Sequence, residues 1–167
     1  MKEIVCYTDG ACSYNPGPGG FAIVFIKNSE DISSLFYGAS EYTTNNRMEL
    51  TAVVESIKLA NAKGYEKITV HSDSAYVVNA ILNNWHLNWI RNGWVTNQNK
   101  PVKNKDLWLK LINLMKEIKV EVRKVQGHSG ERFNEIADKL AVKAIEDLEL
   151  EKIPSGGIIN VNCPENR

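Results

Sequence analysis

The stretch TTNNRMELTAVVESIKLA, residues 43–60, is where the chain changes its period. From Asn45 the apolar positions Leu50, Val53, Val54, Ile57 and Ala60 recur at three- and four-residue steps, the stripe of an amphipathic helix. Gly64 stands where such a helix should end. Upstream, KEIVCYTD at 2–9 reads as a strand closed by Gly10 and the turn-rich NPGPGG at 15–20. Two more strands follow, FAIVFI at 21–26 and ISSLFYG at 32–38, on either side of a polar turn. Downstream, KITVHS at 67–72 is a strand that leads directly into a helix around residues 74–82. Residues 83–105 read as irregular, 107–118 as helix, VEVRKV at 120–125 as the last strand, and 131–150 as a long helix. Three strands joined by tight turns, then strands alternating with helices, predict an α/β domain with a mixed sheet. The first strand, apolar on both faces, should lie centrally. Residues 1–150 form the predicted domain, and 151–167 a short tail with no assigned place.

The composition narrows the function. The chain has 167 residues, 43% of them apolar and 24% charged, with a formal net charge of zero. That is one domain's worth of sequence. No run reaches the about 18 apolar residues that a membrane span needs, and the start lacks the apolar stretch of a signal peptide. Cys6, Cys12 and Cys163 are an odd set without metal-site spacing, which points to reduced thiols and a cytoplasmic location. A neutral total argues against holding nucleic acid by bulk charge, so any such role must rest on local patches. Nothing in the chain demands a protein partner or more than a monomer.

Acids in apolar elements are the strongest chemical signal. Asp9 ends a buried type of strand, and Asp73 ends KITVHS just before a helix. A lone carboxylate taken out of water costs several kcal/mol, roughly, unless something compensates it. Strand ends border the ligand crevice in open α/β sheets. Glu49 lies at the edge of the first helix's apolar stripe; Asp138 lies in the last helix, one turn after Asn134. Singly, a strand-end Asp often caps the next helix and a helical acid is often solvated. Four in four separate elements point to a cation site. Two Mg²⁺ ions would balance the four charges, and hard oxygen ligands suit that ion together with substrate phosphate. Such a site performs metal-assisted hydrolysis of a phosphate ester. His128, between Gly127 and Ser129–Gly130 and ten residues before Asp138, is placed to move protons near neutral pH. His71 reads as packed and His86 as peripheral.

These residues carry a resemblance. TDGAC at 8–12, NPGPGG at 15–20, TTNNRMEL at 43–50, SDS at 72–74 and GHSGERFNEIADKLA at 127–141 closely resemble type 1 ribonuclease H, in order and over about residues 1–147. The resemblance implies a ribonuclease H-like fold, a five-stranded mixed sheet with three antiparallel strands, then parallel ones, and helices on both faces. It also implies an endonuclease that cuts the RNA strand of an RNA–DNA hybrid to 5′-phosphate and 3′-hydroxyl ends. Asp9, Glu49, Asp73 and Asp138 would hold Mg²⁺, with Mn²⁺ as a substitute, and His128 would assist proton transfer or product release.

RNA-like duplexes are read through the minor groove, 2′-hydroxyls and phosphates. By resemblance, Asn15, Asn45 and Asn46 contact the hybrid's backbone and groove edges, and Thr44 and Asn104 belong to a pocket for a DNA-strand phosphate. Read alone, Asn15 is a turn residue and Asn45 a helix N-cap. NPGPGG lacks the Lys-Ser/Thr of a phosphate loop and reads as a turn. The stretch 85–108 holds all four tryptophans, and 91–110 carries five Lys or Arg against one Asp, as on a surface that tracks a nucleic-acid backbone. Trp89 and Trp94 are assigned to packing, Trp85 to a DNA-strand channel, and Trp108 is left open. Ile90-Arg91-Asn92 and Tyr42 stand where some family members are basic. Two other classes compete: a catalytically silent hybrid-binding module, which typically lacks an acid, and a DNA-processing transposase or integrase, whose glutamate lies on a later helix.

Overall fold

The computed structural model describes residues 2–125 and 131–161. Three antiparallel strands come first: β1 (Glu3–Cys12), β2 (Gly17–Ile26) and β3 (Ile32–Thr43). Helix α1 (Asn45–Ala62) then crosses to β4 (Lys67–Ser72), which pairs parallel to β1. Helices α2 (Ala75–Leu82), α3 (Trp85–Arg91) and α4 (Lys105–Met115) lead to β5 (Lys119–Lys124), parallel to β4. The long helix α5 (Arg132–Glu149) and a short strand β6 (Ile159–Val161) complete the order. The sheet runs β5-β4-β1-β2-β3-β6, so β1 is interior, as its two-faced apolar pattern requires.

Two helical layers cover the sheet. On one face, Cys6, Phe21, Ile23 and Ile68 pack with Leu50, Val53 and Ile57 of α1 and with Val77 and Leu111 of α2 and α4. On the other, Tyr7, Ala22, Val24 and Tyr37 pack with Ala137, Ala141 and Ala144 of α5. A glycine brings each layer close. A Cβ on Gly20 would strike the Ala141 carbonyl and lie 3.0 Å from Ala144 Cβ. A Cβ on Gly10 would lie 2.6 Å from the Met48 carbonyl carbon, against the α1 backbone.

Several expectations are corrected. The sheet has six strands rather than five, because Ile159–Val161 of the tail pairs antiparallel with Leu35–Tyr37. Tyr37 donates to the buried Asp147 carboxylate at 2.6 Å, tying this edge to the end of α5. NPGPGG is not wholly a turn: Gly17–Gly20 belong to β2, and β1 runs through Gly10 to Cys12. Pairing of Ala11 with Gly20 and Cys12 with Gly19 extends the hairpin, since glycines there let both helices approach. Residues 83–105 are not all irregular. Trp85–Arg91 is helical, held by Trp89 lying edge-on to Trp108 at 5.2 Å. Trp108, unassigned from sequence, is core at 1% exposure. Trp89 and Trp94 pack against the core as expected. Cys6 and Cys12 are free thiols, and Cys163 lies outside the described residues. Among the described residues no helix is long and apolar enough to cross a membrane.

Gly10→Ala should destabilise the protein by about 1–3 kcal/mol, the usual cost of overpacking. Because it pushes on the α1 backbone at Met48 and Glu49, it should also lower activity. A denaturant midpoint and a turnover assay check the two effects together.

Candidate active site

Four elements deliver the acids to one end of the central strands. Asp9 sits on β1 opposite Ala22 and is 4% exposed, its Oδ1 accepting from the Gly10 amide at 2.9 Å. Glu49, on the second turn of α1, is 5% exposed. Its burial sets aside the solvated-helix reading, and it follows from the close approach of α1 to Gly10. Asp73 follows β4 directly. It does not cap α2; Ser74 does, its Oγ accepting from the Val77 amide at 3.3 Å. Ser72 Oγ in turn accepts from the Ser74 amide at 3.1 Å, fixing the strand-to-helix turn around Asp73.

Asp9, Glu49 and Asp73 each offer a carboxylate oxygen, and these oxygens all lie within 4.8 Å of one another. Asp138, half-buried on α5, is not part of that group of three, but it is near enough to Asp9 to add to the rise of the Asp9 carboxyl. His128 lies outside the described residues.

Crowding has the expected electrostatic effect. Burial, and then the Asp73 charge, push the Asp9 carboxyl up to about 7. Burial, and then the Asp9 charge, push Glu49 up to about 10. Like charges at this range in a water-poor site cannot all ionise without a counter-charge. Glu49 Oε2 is moreover buried without a hydrogen-bond partner among the described residues, as is Asn134 Oδ1 one turn before Asp138. An oxygen stripped of water and left unpaired is costly unless a ligand satisfies it. Hard oxygen donors, converging charge and an orphaned carboxylate oxygen fit a divalent cation of the Mg²⁺ kind.

The residues expected to touch substrate lie in the β1–β2 loop, at the starts of α1 and α4, and on α3. Thr44, not Asn45, is the N-cap of α1, its Oγ1 accepting from the Arg47 amide at 3.2 Å. Asn45 is the first helical residue, and its amide donates to Asn15 Oδ1 at 3.0 Å, so Asn15 joins the β1–β2 loop to the helix start. Asn46 is exposed beside them, and Trp85 is 38% exposed on α3. Asn104 precedes α4 in a left-handed conformation, with φ of 61°. His71 is packed, stacked on Tyr7 at 4.4 Å, and His86 is partly buried on α3. Sequence reading missed Arg47, which forks onto Asp106 across 59 residues, and Tyr76, which joins Asn104 and Trp108. It also missed Tyr14, 87% exposed with φ of 55°. Nothing local marks such partners; a positive φ at Tyr14 is invisible without coordinates.

A mixed sheet with helices on both faces, bringing Asp9 of β1, Glu49 of α1 and Asp73 just past the adjacent parallel β4 together, defines a metal-dependent nuclease of the ribonuclease H-like fold. The ribonuclease H family profile matches residues 1–146. Ribonuclease H of Syntrophomonas wolfei is 51% identical over 150 residues, 89% of this chain and 99% of its own. That of Caldicellulosiruptor saccharolyticus is 46% identical over 148 residues, again 89% and 99%. Among solved structures, LC9-RNase H1, a type 1 enzyme with the type 2 active-site motif, superposes with a TM-score of 0.78 at 29% identity, covering 96% of this chain and 78% of that one. The chain belongs to the type 1 ribonuclease H family.

The raised acids set a direction for stability. In the folded, metal-free protein Asp9 and Glu49 keep protons that the unfolded chain releases from about pH 4 upward. Metal-free stability should therefore fall as pH rises, through 7 for Asp9 and on towards 10 for Glu49. Glu49→Gln should raise the melting temperature in chelator at pH 8 and not at pH 4. A gain of a few degrees is expected, since about 1 kcal/mol moves a domain of this size by roughly 2–4 °C. Mg²⁺ should raise the parent's melting temperature more at pH 8 than at pH 6.

Proposed function

We propose that this chain is an endonuclease that hydrolyses the RNA strand of RNA–DNA hybrids, leaving 5′-phosphate and 3′-hydroxyl ends. The observation that carries it is the cluster of buried Asp9 and Glu49 with half-buried Asp73, with an unpaired Glu49 oxygen, in a ribonuclease H chain. Asp9, Glu49, Asp73 and Asp138 would hold the divalent cation, Mg²⁺ with Mn²⁺ as a substitute. What that cation supplies when bound is Lewis acidity towards the phosphodiester oxygens and a lower pKa for water. The chain's own residues do the rest. The buried acids keep the reacting phosphate's surroundings fixed, so that little reorganisation is needed as charge moves to the leaving 3′ oxygen. His128 moves the proton which that oxygen gains.

Substrate recognition falls to amides and helix ends. The Asn15, Asn45 and Asn46 amides donate and accept without base preference, as reading 2′-hydroxyls in a wide minor groove requires. Thr44 and Asn104, at the starts of α1 and α4, form the pocket for a DNA-strand phosphate, where helix N-termini favour an anion. Trp85, exposed on α3, lines the DNA-strand channel. Residues 1–150 serve as the catalytic domain, acting as a monomer in the cytoplasm, with the tail as an appendix to its sheet edge. A catalytically silent module is the weaker reading, because all four acids and His128 are retained.

Purified protein with Mg²⁺ should cut the RNA of a labelled hybrid and spare single-stranded RNA and duplex DNA. Asp9→Asn should lose activity by roughly a thousand-fold or more, the scale of several kcal/mol of lost transition-state stabilisation. Absence of Mg²⁺-dependent cutting would end this reading. Because Ile90-Arg91-Asn92 and Tyr42 are less basic than the residues some family members carry there, log affinity for hybrid should fall only shallowly with log salt. A binding titration over a salt series measures that slope against a strongly basic relative.

A further inference from the structure

A chain of side-chain hydrogen bonds joins α1, α2 and α4 without touching the acids. Arg47 Nη1 donates to Asn104 Oδ1 at 3.3 Å, while the guanidinium forks onto both carboxylate oxygens of Asp106. Asn104 Nδ2 donates to the Tyr76 hydroxyl at 3.2 Å, and Trp108 Nε1 donates to the same oxygen at 3.0 Å. The orientation of every member follows from its chemistry. A guanidinium can only donate, so the Asn104 carbonyl oxygen must face Arg47 and the amide nitrogen must face Tyr76. An indole N–H can only donate, so the Tyr76 oxygen accepts twice. The Asn104 amide therefore spends one N–H on Tyr76 and has one left.

That remaining N–H is well placed to serve. Asn104 takes the left-handed conformation that asparagine tolerates better than other side chains, and it makes no capping bond to its own helix. Tyr76 is itself held, edge-on to the buried Trp108 at 5.8 Å. The positive charge of Arg47 is meanwhile committed to Asp106, and Tyr42 supplies none. An anion at this corner is thus met by oriented N–H groups more than by a free cation, and their orientation matters correspondingly.

We propose that Tyr76 is a positioning residue for substrate binding: its hydroxyl, anchored by Trp108, aims the second Asn104 amide hydrogen at a phosphate of the hybrid's DNA strand. This rests on the reading of Asn104 as a DNA-strand contact. Without the hydroxyl, the amide keeps only its 3.3 Å bond from Arg47, and its nitrogen end is free to tilt away from the phosphate. Ground-state binding of the hybrid weakens, while the acids and the hydrolysis they support are untouched.

The test uses Tyr76→Phe, which keeps the ring against Trp108, and Asn104→Gly, which removes the amide but keeps the left-handed backbone. Assays run well below the melting temperature of each variant, because Tyr76→Phe leaves the Trp108 N–H unpaired. Tyr76→Phe should raise KM for a short hybrid by about three- to ten-fold, the range of one positioned hydrogen bond, with kcat within about two-fold of the parent. Asn104→Gly should raise KM similarly, and the double variant should be no worse than Asn104→Gly alone. A hybrid with one neutral methylphosphonate at the contacted DNA phosphate should bind the parent more weakly and leave Tyr76→Phe unaffected. An unchanged KM in Tyr76→Phe, or KM increases that multiply in the double variant, overturns the proposal. If Asn104→Gly alone leaves KM unchanged, the assigned DNA contact is wrong and the proposal goes with it. Continued cutting of the hybrid in that case shows that the nuclease reading survives.

Discussion

Carboxylates forced together in a water-poor corner are the constraint on which this molecule turns. Asp9, Glu49 and Asp73 offer oxygens within 4.8 Å of one another, and two of the three groups are almost wholly buried. Left alone, the cluster opposes folding, because each ionised group is repelled by its neighbours and stripped of solvent. It persists because stronger packing elsewhere holds its backbone supports. Asp9 is carried by an interior strand with neighbours on both sides. Glu49 is carried by an 18-residue helix whose inner face is filled by Leu50, Val53, Val54 and Ile57. The strain is local and the scaffold is not, which is the arrangement a cation site needs if it is to be ready before the cation arrives.

The face proposed to take substrate is built on a different principle. There the chain uses amides, helix starts and aromatic anchors rather than dense positive charge. Arg47 is paired with Asp106, and the segment bearing α3 is held by Trp108, Trp89 and Trp94 rather than displayed as a row of cations. A hybrid has the same phosphate charge whatever its sequence, so charge alone would attract every duplex equally. Groups fixed in direction discriminate better, since they reward only a backbone and groove of the right shape. Asn15 and the start of α1 are joined by the bond between Asn15 and Asn45, so the β1–β2 loop and the helix cap are held together.

Much of the scaffold was legible because it rests on period and punctuation. The apolar stripe from Leu50 to Ala60 and the strand KITVHS with its following helix match the observed α1, β4 and α2 closely. Failures came where tertiary contact overrode local signals. NPGPGG looks like a turn, yet its glycines continue β2 because small residues there admit helices on both faces. The tail looks shapeless, yet Ile159–Val161 finds the open edge of β3. Asn45 looks like a cap, yet Thr44 takes that role, the two differing by one residue in register with the helix.

The sequence by itself determined most of the elements, that β1 is interior, and which acids are anomalous in apolar surroundings, because those properties depend on residue type and short-range spacing. Only the tertiary structure decided that Asp9, Glu49 and Asp73 converge, that Glu49 is left with an unpaired oxygen, and that Tyr76 links Asn104 to Trp108. Those relations join residues tens of positions apart. They are set by how closely helices seat on the sheet, a distance governed by side-chain volume across the whole interface and written in no single stretch of the chain.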